Sequence, residues 1–178
     1  QLMNSSGALA VIASSINGGQ IAGFRNRIIN GAMVISQRNG TGSVTPADNQ
    51  YTLDRYGCSL SQSAKYSVQQ NAGGVTPPAG FSNYLGITSL SNYSSGSSDY
   101  FAINQYVEGY NVADLAWGTA SAKTVTLSFW ARASITGTYG GSIRNGSVDR
   151  SYPFTFAIAS ANTWEYKTIT IPGDTSGT

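Results

Sequence analysis

Short segments that alternate apolar and polar residues constrain the fold of this chain more than any other feature of its sequence. The clearest is KTVTLSFWARAS, which has period two. One face carries Val125, Leu127, Phe129 and Ala131, and the other carries Thr126, Ser128, Trp130 and Arg132. Because side chains alternate across an extended chain, this pattern predicts a strand with its apolar face towards a core.

The segment WEYKTITI near the end of the chain alternates in the same way. We expect Ile169 and Ile171 to face the core, and Tyr166 to lie on the opposite face with Trp164. Trp164 stands at the start of the strand, where a tryptophan packs more often than it contacts a ligand. We therefore interpret Trp164 as a packing residue at the edge of the fold.

Other segments have the same character and are separated by residues that favour turns. The predicted strands are RIINGAMVISQR, QYTLDRYGCSL, AKYSVQQ, YLGITSL, YFAINQYVEGY and FTFAIAS. Pro77-Pro78 excludes a helix interior between two of them, and VADLAWG is the best helix candidate. Many short strands with almost no helix predict an all-β fold, an antiparallel β-sandwich.

The 178 residues suffice for one domain with a core, preceded by an arm. Residues 1–23 form a short, apolar and Gly-rich segment. It is either a flexible linker or tag remnant, or the end of a fibre shaft or an oligomerisation arm. The second interpretation is favoured by four aliphatic residues that would need a cover: Leu9, Val11, Ile12 and Ile16. The domain then spans 24–178. Because the chain begins with Gln1 and ends in a loop-like PGDTSGT, we expect a piece of a longer polypeptide.

Composition argues against several classes of function. The chain has no histidine and a single cysteine, Cys58, which removes histidine-activated nucleophiles, intramolecular disulfides and cysteine metal clusters. Charged residues make up 10% of the sequence, without the basic stripe of nucleic-acid binders. No window has the length of a membrane span, and no spacing supports a metal site. We expect a non-enzyme without cofactors, in which Asp54 and Arg55 form an ion pair that orders a strand end.

Aromatic and polar side chains dominate what remains, with eleven tyrosines and three tryptophans. Such groups hold sugars by stacking on C–H faces and by hydrogen-bonding hydroxyls, although they also line cores and subunit interfaces. The candidate glycan-binding residues are Tyr106, Tyr110, Trp130, Arg132, Tyr139, Arg144 and Asn145. Trp130 is the most notable, since it lies opposite the apolar face of its strand and shares its side with Arg132.

Several motifs together resemble the tail-fibre proteins of tailed bacteriophages and prophages. GFRNRIINGAMVISQRNGTG followed by YTLDRYGC is similar to the opening of that module, and TVTLSFWARAS, GTYGGSIRNG and NTWEYKTITIPGDTSGT to its later strands. YFAINQYVEG and TLSFWAR also resemble paired strands of jelly-roll carbohydrate-binding modules. The resemblance covers about residues 23–178. It implies a jelly roll whose core contains Ile103, Val107, Leu127 and Phe129, within a homotrimeric fibre. Because a further strand follows the PGDTSGT segment in such modules, the resemblance also implies that the domain is incomplete at its C-terminus.

The resemblance implies a virion protein that attaches to host surface saccharide from outside the cell. A purely structural virion component, which would bind other virion proteins in a fibre, head decoration or tail, remains the alternative. A polysaccharide depolymerase is the third. We expect neither nucleic-acid binding nor membrane insertion.

Overall fold

The computed structural model describes residues 26–177, and strands account for most of the regular structure there. The strands are β1 (Gly57–Leu60), β2 (Tyr66–Gln70), β3 (Leu85–Ser89), β4 (Phe101–Asn104), β5 (Val125–Ala131), β6 (Gly137–Arg144), β7 (Ser151–Ile158) and β8 (Glu165–Ile171). Three single-turn 3-10 helices lie at Ala72–Gly74, Gly109–Asn111 and Ala113–Leu115. The prediction of an all-β fold is confirmed. The predicted arm, residues 1–23, lies outside the described residues.

The strands pair as two sets of nested antiparallel ladders. In the N-terminal unit β1 pairs with β4, and the β2–β3 ladder lies between these two strands in sequence. In the C-terminal unit β5 pairs with β8, and the β6–β7 ladder lies between them in sequence. A two-stranded ladder is marginally stable alone, so each must be stabilised by packing against the others. Within residues 26–177 the ladders are all two-stranded, and the finer arrangement as a β-sandwich or jelly roll stays a prediction.

The best-buried cluster lies in the N-terminal unit, where β1 and β2 meet. Cys58 and Val68 are completely or almost completely buried there, with Leu60 and Tyr66 beside them. Ile103 of β4 packs against this cluster as a partly buried residue, which agrees with its predicted core position. The other three residues expected in the core, Val107, Leu127 and Phe129, are only half-buried.

The C-terminal unit keeps the alternation predicted for β5 and β8. Val125 pairs with Ile171 and Leu127 with Ile169 on the inner face, where Ile171 is fully buried. Phe129 of β5 then meets Phe156 of β7 edge to face, with ring centroids 5.0 Å apart. Aromatic contact therefore joins the two ladders of this unit.

The prediction of a strand over RIINGAMVISQR is wrong. Turns occupy residues 29–32 and 37–41 instead. Asn30 and Met33 have left-handed φ values of 56° each. The Asn30 side chain accepts from the Ile35 amide at 3.0 Å and donates to the Ile35 carbonyl at 2.9 Å. Because this amide offers the backbone a local partner, it replaces the ladder that a strand would need.

The segment QYTLDRYGCSL is not one strand either, because a tight turn interrupts it. The Tyr56 amide donates to the Leu53 carbonyl at 2.9 Å, and Arg55 has φ of 76°. The expected Asp54–Arg55 ion pair is also wrong. Arg55 pairs with Glu108 at 2.6 Å, while Asp54 accepts a hydrogen bond from the Gln37 amide.

Two further segments differ from expectation in extent. YFAINQYVEGY forms a strand only over Phe101–Asn104, and VADLAWG forms a 3-10 turn at Ala113–Leu115 where an α-helix was predicted. Among the helices of residues 26–177, none has the length and apolar character needed to cross a membrane.

Trp164 connects the two units. Its indole N–H donates to the Thr76 carbonyl at 2.9 Å, and its ring meets Tyr84 edge to face with centroids 5.5 Å apart. Trp164 thus packs at the junction of the units, as expected from its place at a strand start.

Candidate functional site

An exposed aromatic pair lies on the outer face of the β5–β8 ladder. The register places Trp130 directly opposite Tyr166. Their ring centroids are 5.4 Å apart and their planes are inclined at 55°. Trp130 is 38% exposed and Tyr166 is 56% exposed. Each ring therefore supports the other and still presents area to solvent.

Hydroxyl groups surround this pair on the same face. The remaining outward residues of the two strands are all exposed Ser or Thr residues: Thr126, Ser128, Thr168 and Thr170. A hydroxyl can both donate and accept a hydrogen bond. The face thus combines an apolar patch with adaptable polar groups.

Arg132 brings a positive charge to the end of this face. It is half-buried, and its Nε donates to the Asn162 carbonyl at 3.0 Å. The four ion pairs found among residues 26–177 do not include Arg132. The guanidinium therefore keeps N–H donors that a ligand oxygen could use.

Tyr139 does not join this arrangement, although the sequence made it a candidate. It lies on the inner side of the β6–β7 ladder, with its ring stacked on Phe156 at 5.8 Å. Its hydroxyl donates to the Ile135 carbonyl at 2.7 Å. Because ring and hydroxyl are both engaged within the domain, Tyr139 is a packing residue here.

Arg144 and Asn145 lie at the far end of the β6–β7 hairpin. The eight residues of β6 span about 25 Å. The Asn145 side chain holds the turn, because it donates to Asp149 at 2.6 Å and accepts from the Arg150 amide at 3.1 Å. Asn145 thus has a structural role, and Arg144 is exposed beside it.

Tyr106 and Tyr110 lie in a third place, after β4. Tyr106 is 64% exposed and its carbonyl accepts from Arg55, and Tyr110 is 98% exposed in the 3-10 turn Gly109–Asn111. No aromatic ring in the described part of the chain pairs with either side chain. The seven candidates therefore do not form one site; Trp130 and Arg132 are the two that alternation places on the same side of one strand.

Tyr166 is the site residue that sequence reasoning left out of the candidates. Its alternation marked it as outward-facing, but the pairing of Trp130 with Tyr166 depends on the register of β5 against β8. The register follows from the three-dimensional pairing of the two strands and cannot be predicted from the sequence of either strand alone.

The carboxyl groups with shifted pKa values are held ionised. In each case one hydrogen-bond donor is the main cause of a lowered pKa. The Tyr93 hydroxyl lowers the pKa of Asp99 to about 2, and Arg150 lowers the pKa of Asp174 to about 2. Arg55 lowers the pKa of Glu108, and Lys167 lowers the pKa of Glu165. A general acid at neutral pH needs the opposite shift. No cluster of three potential metal ligands occurs within residues 26–177. The exposed rings and hydroxyl groups on β5 and β8 can pack on and hydrogen-bond with a polar ligand.

Comparisons of the chain with protein-family models, with curated proteins and with solved structures found no match.

Proposed function

We propose that this chain is a non-catalytic, saccharide-binding domain of a phage tail fibre, which attaches a homotrimeric fibre to glycan on the host surface. The observation that carries this proposal is the exposed Trp130–Tyr166 pair on a face of hydroxyl groups. The sequence resemblance to tail-fibre modules supplies the virion context.

The chemistry of the face supports a sugar ligand. A pyranose has one face of C–H groups, which packs on an aromatic ring, and a rim of hydroxyls, which exchange hydrogen bonds with Ser and Thr. A single exposed site of this kind binds weakly. Three copies in a homotrimer would raise the avidity by about 10²–10⁴-fold without a new contact.

Binding of the trimeric chain to an array of bacterial surface polysaccharides tests the proposal. We expect selective binding to a few related glycans, lost when Trp130 and Tyr166 are both replaced by alanine. Uniform absence of signal from the folded trimer would overturn the proposal.

One observation favours the alternative of a structural virion component. Four aliphatic side chains in the segment after residue 26 are 36–61% exposed: Ile28, Ile29, Val34 and Ile35. Exposed aliphatics this close together are often covered by a partner protein. If the array gives no selective signal and substitution of this segment prevents particle assembly, the structural function is supported instead.

A further inference from the structure

A groove lies in the N-terminal unit, and none of its lining residues belongs to β5 or β8, the strands of Trp130 and Tyr166. Its volume is about 330 Å³, and its walls come from β2, β3, β4 and the loop that precedes β4. The residues that matter for its chemistry are Lys65, Ile87, Ser89, Tyr93 and Phe101. A volume at the lower end of the range for ligand pockets suits one sugar ring better than a longer chain.

Aromatic rings form one wall of the groove. Tyr93 and Phe101 meet edge to face with centroids 6.0 Å apart, and Phe101 meets Tyr66 in the same way at 6.2 Å. Tyr93 and Phe101 are 40% and 38% exposed, so part of each ring remains open to a ligand. The wall is therefore apolar and accessible.

Asp99 fixes the loop that carries this wall. Its carboxylate accepts from the Tyr93 hydroxyl at 2.7 Å, from the Gly96 amide at 2.8 Å and from the Ser61 hydroxyl at 2.8 Å. Because these donors hold Tyr93 in place before a ligand arrives, binding would not have to order that ring.

Lys65 gives the groove a positive charge. Its ammonium lies 4.5 Å from the centroid of the Tyr93 ring. Lys65 is the one charged residue among those that line the groove. None of the ion pairs among residues 26–177 includes Lys65. An anionic group on a ligand would therefore complement this ammonium.

We propose that the groove binds a single carboxylate-bearing pyranose. The sugar ring packs against Tyr93 and Phe101, its carboxylate contacts the Lys65 ammonium, and the hydroxyl of Ser89 meets the ring hydroxyls. This site lies in the N-terminal unit and does not depend on the pair on β5 and β8.

Amide NMR titrations of the full chain with methyl glucuronide and with methyl glucoside test the proposal. We expect both sugars to shift the amides of Ser89, Tyr93 and Phe101. The glucuronide should bind about three- to fivefold more tightly, the scale of an exposed ion pair. Lys65→Gln should remove this preference, while Lys123→Gln, a matched loss of one exposed charge elsewhere, should keep it.

A second variant distinguishes the contribution of the Tyr93 ring to binding from the contribution of the ordered loop. Tyr93→Phe keeps the ring but loses the bond to Asp99, and we expect weaker binding of both sugars with the glucuronide preference intact. Equal affinity for the two sugars, an unchanged preference in Lys65→Gln, or shifts confined to the amides around Trp130 would overturn the proposal.

Discussion

Trp130 on β5 and Tyr166 on β8 are direct cross-strand neighbours, with ring centroids 5.4 Å apart on an exposed face. An aromatic cross-strand pair stabilises a ladder by up to about 1 kcal/mol. Burial would give more, so stability alone gives little reason to leave both rings in solvent. Their exposure is what makes a ligand-binding interpretation attractive.

Trp130→Ala and Tyr166→Ala should each weaken saccharide binding by about tenfold. This is the loss of affinity expected when an aromatic side chain is removed from the centre of an interface. The free energy of unfolding should fall by only about 1 kcal/mol, since just one cross-strand pair is lost. Binding isotherms on the selected glycan and urea unfolding measure the two effects separately.

Tyr110→Ala is the matched control, because this tyrosine is 98% exposed and lies in the 3-10 turn away from β5 and β8. We expect its glycan affinity and stability to equal those of the unmodified chain. If Tyr110→Ala weakens binding and Trp130→Ala does not, the site has been placed on the wrong surface.

Gly141 lies under the ring of Phe154, its cross-strand neighbour. A Cβ added at Gly141 would lie 2.5 Å from Cζ of Phe154, far inside van der Waals contact. Gly141→Ala should therefore destabilise the fold by about 1–3 kcal/mol, as overpacking does. Thermal or urea unfolding of the variant measures this cost.

Gly140→Ala provides the control one residue away. The nearest atom to its added Cβ is the Phe154 carbonyl oxygen at 3.8 Å, an ordinary contact. We expect a change within about 0.5 kcal/mol. In a Phe154→Ala background the cost of Gly141→Ala should nearly vanish; a cost that persists there would mean that the ring is not its cause.

The alternation of β5 and β8 could be predicted from the sequence because side-chain direction in a strand is a local property. Leu127 and Ile169 turn inward and Trp130 and Tyr166 turn outward, as their spacing requires. The spacing does not predict which strands pair with each other. The Trp130–Tyr166 pair therefore emerged only from the register.

The location of the best-buried cluster could not be predicted for a related reason. GCSL and YSVQQ contain few large apolar residues, yet Cys58 and Val68 are almost completely buried. Burial depends on which ladders pack together rather than on the apolar content of one strand. Leu127 and Phe129 belong to the more apolar strand but remain half-buried.

Local side-chain bonding accounts for the errors near the N-terminus. Asn30 and Gly31 lie in a turn within the segment that was predicted to be a strand. The strand is absent because the Asn30 amide satisfies the backbone of Ile35 and also donates to the Asp54 carbonyl. Such bonds compete with a ladder and cannot be seen in an apolar pattern.

Trp164 should couple unfolding of the two units. Trp164→Phe removes the indole bond to the Thr76 carbonyl and reduces packing on Tyr84, which should cost about 0.5–1.5 kcal/mol for the bond alone. Because this contact joins the units, amides of the N-terminal and C-terminal units should exchange with solvent at different free energies in the variant. Native-state hydrogen exchange measures that difference.

Trp117→Phe is the comparable change within one segment, since the Trp117 indole donates to the Lys123 carbonyl at 2.7 Å, six residues away. It should lower stability to a similar degree without separating the exchange of the two units. Identical exchange patterns in the two variants would show that Trp164 contributes only locally.

The loop before β4 should lose stability in acid through Asp99. The Tyr93 hydroxyl, the Gly96 amide and the Ser61 hydroxyl together lower the pKa of Asp99 from 3.8 to about 2. A carboxyl whose pKa is depressed by folding stabilises the folded state above its unfolded pKa, and that contribution disappears as the pH falls through the folded value. We therefore expect constant protection of the Gly96 amide down to about pH 4 and progressive loss between pH 4 and pH 2.

Asp99→Asn isolates this effect. Asparagine stays neutral throughout, so the Gly96 amide should be less protected at neutral pH and should show little further loss in acid. Asp174→Asn is the control, because the pKa of Asp174 is also lowered to about 2 but by Arg150, on the other unit. It should leave the acid profile at Gly96 unchanged. If the Gly96 profiles of Asp99→Asn and the unmodified chain coincide between pH 4 and pH 2, Asp99 does not hold the loop, and the aromatic wall of the groove would have to be ordered by the Tyr93–Phe101 contact alone.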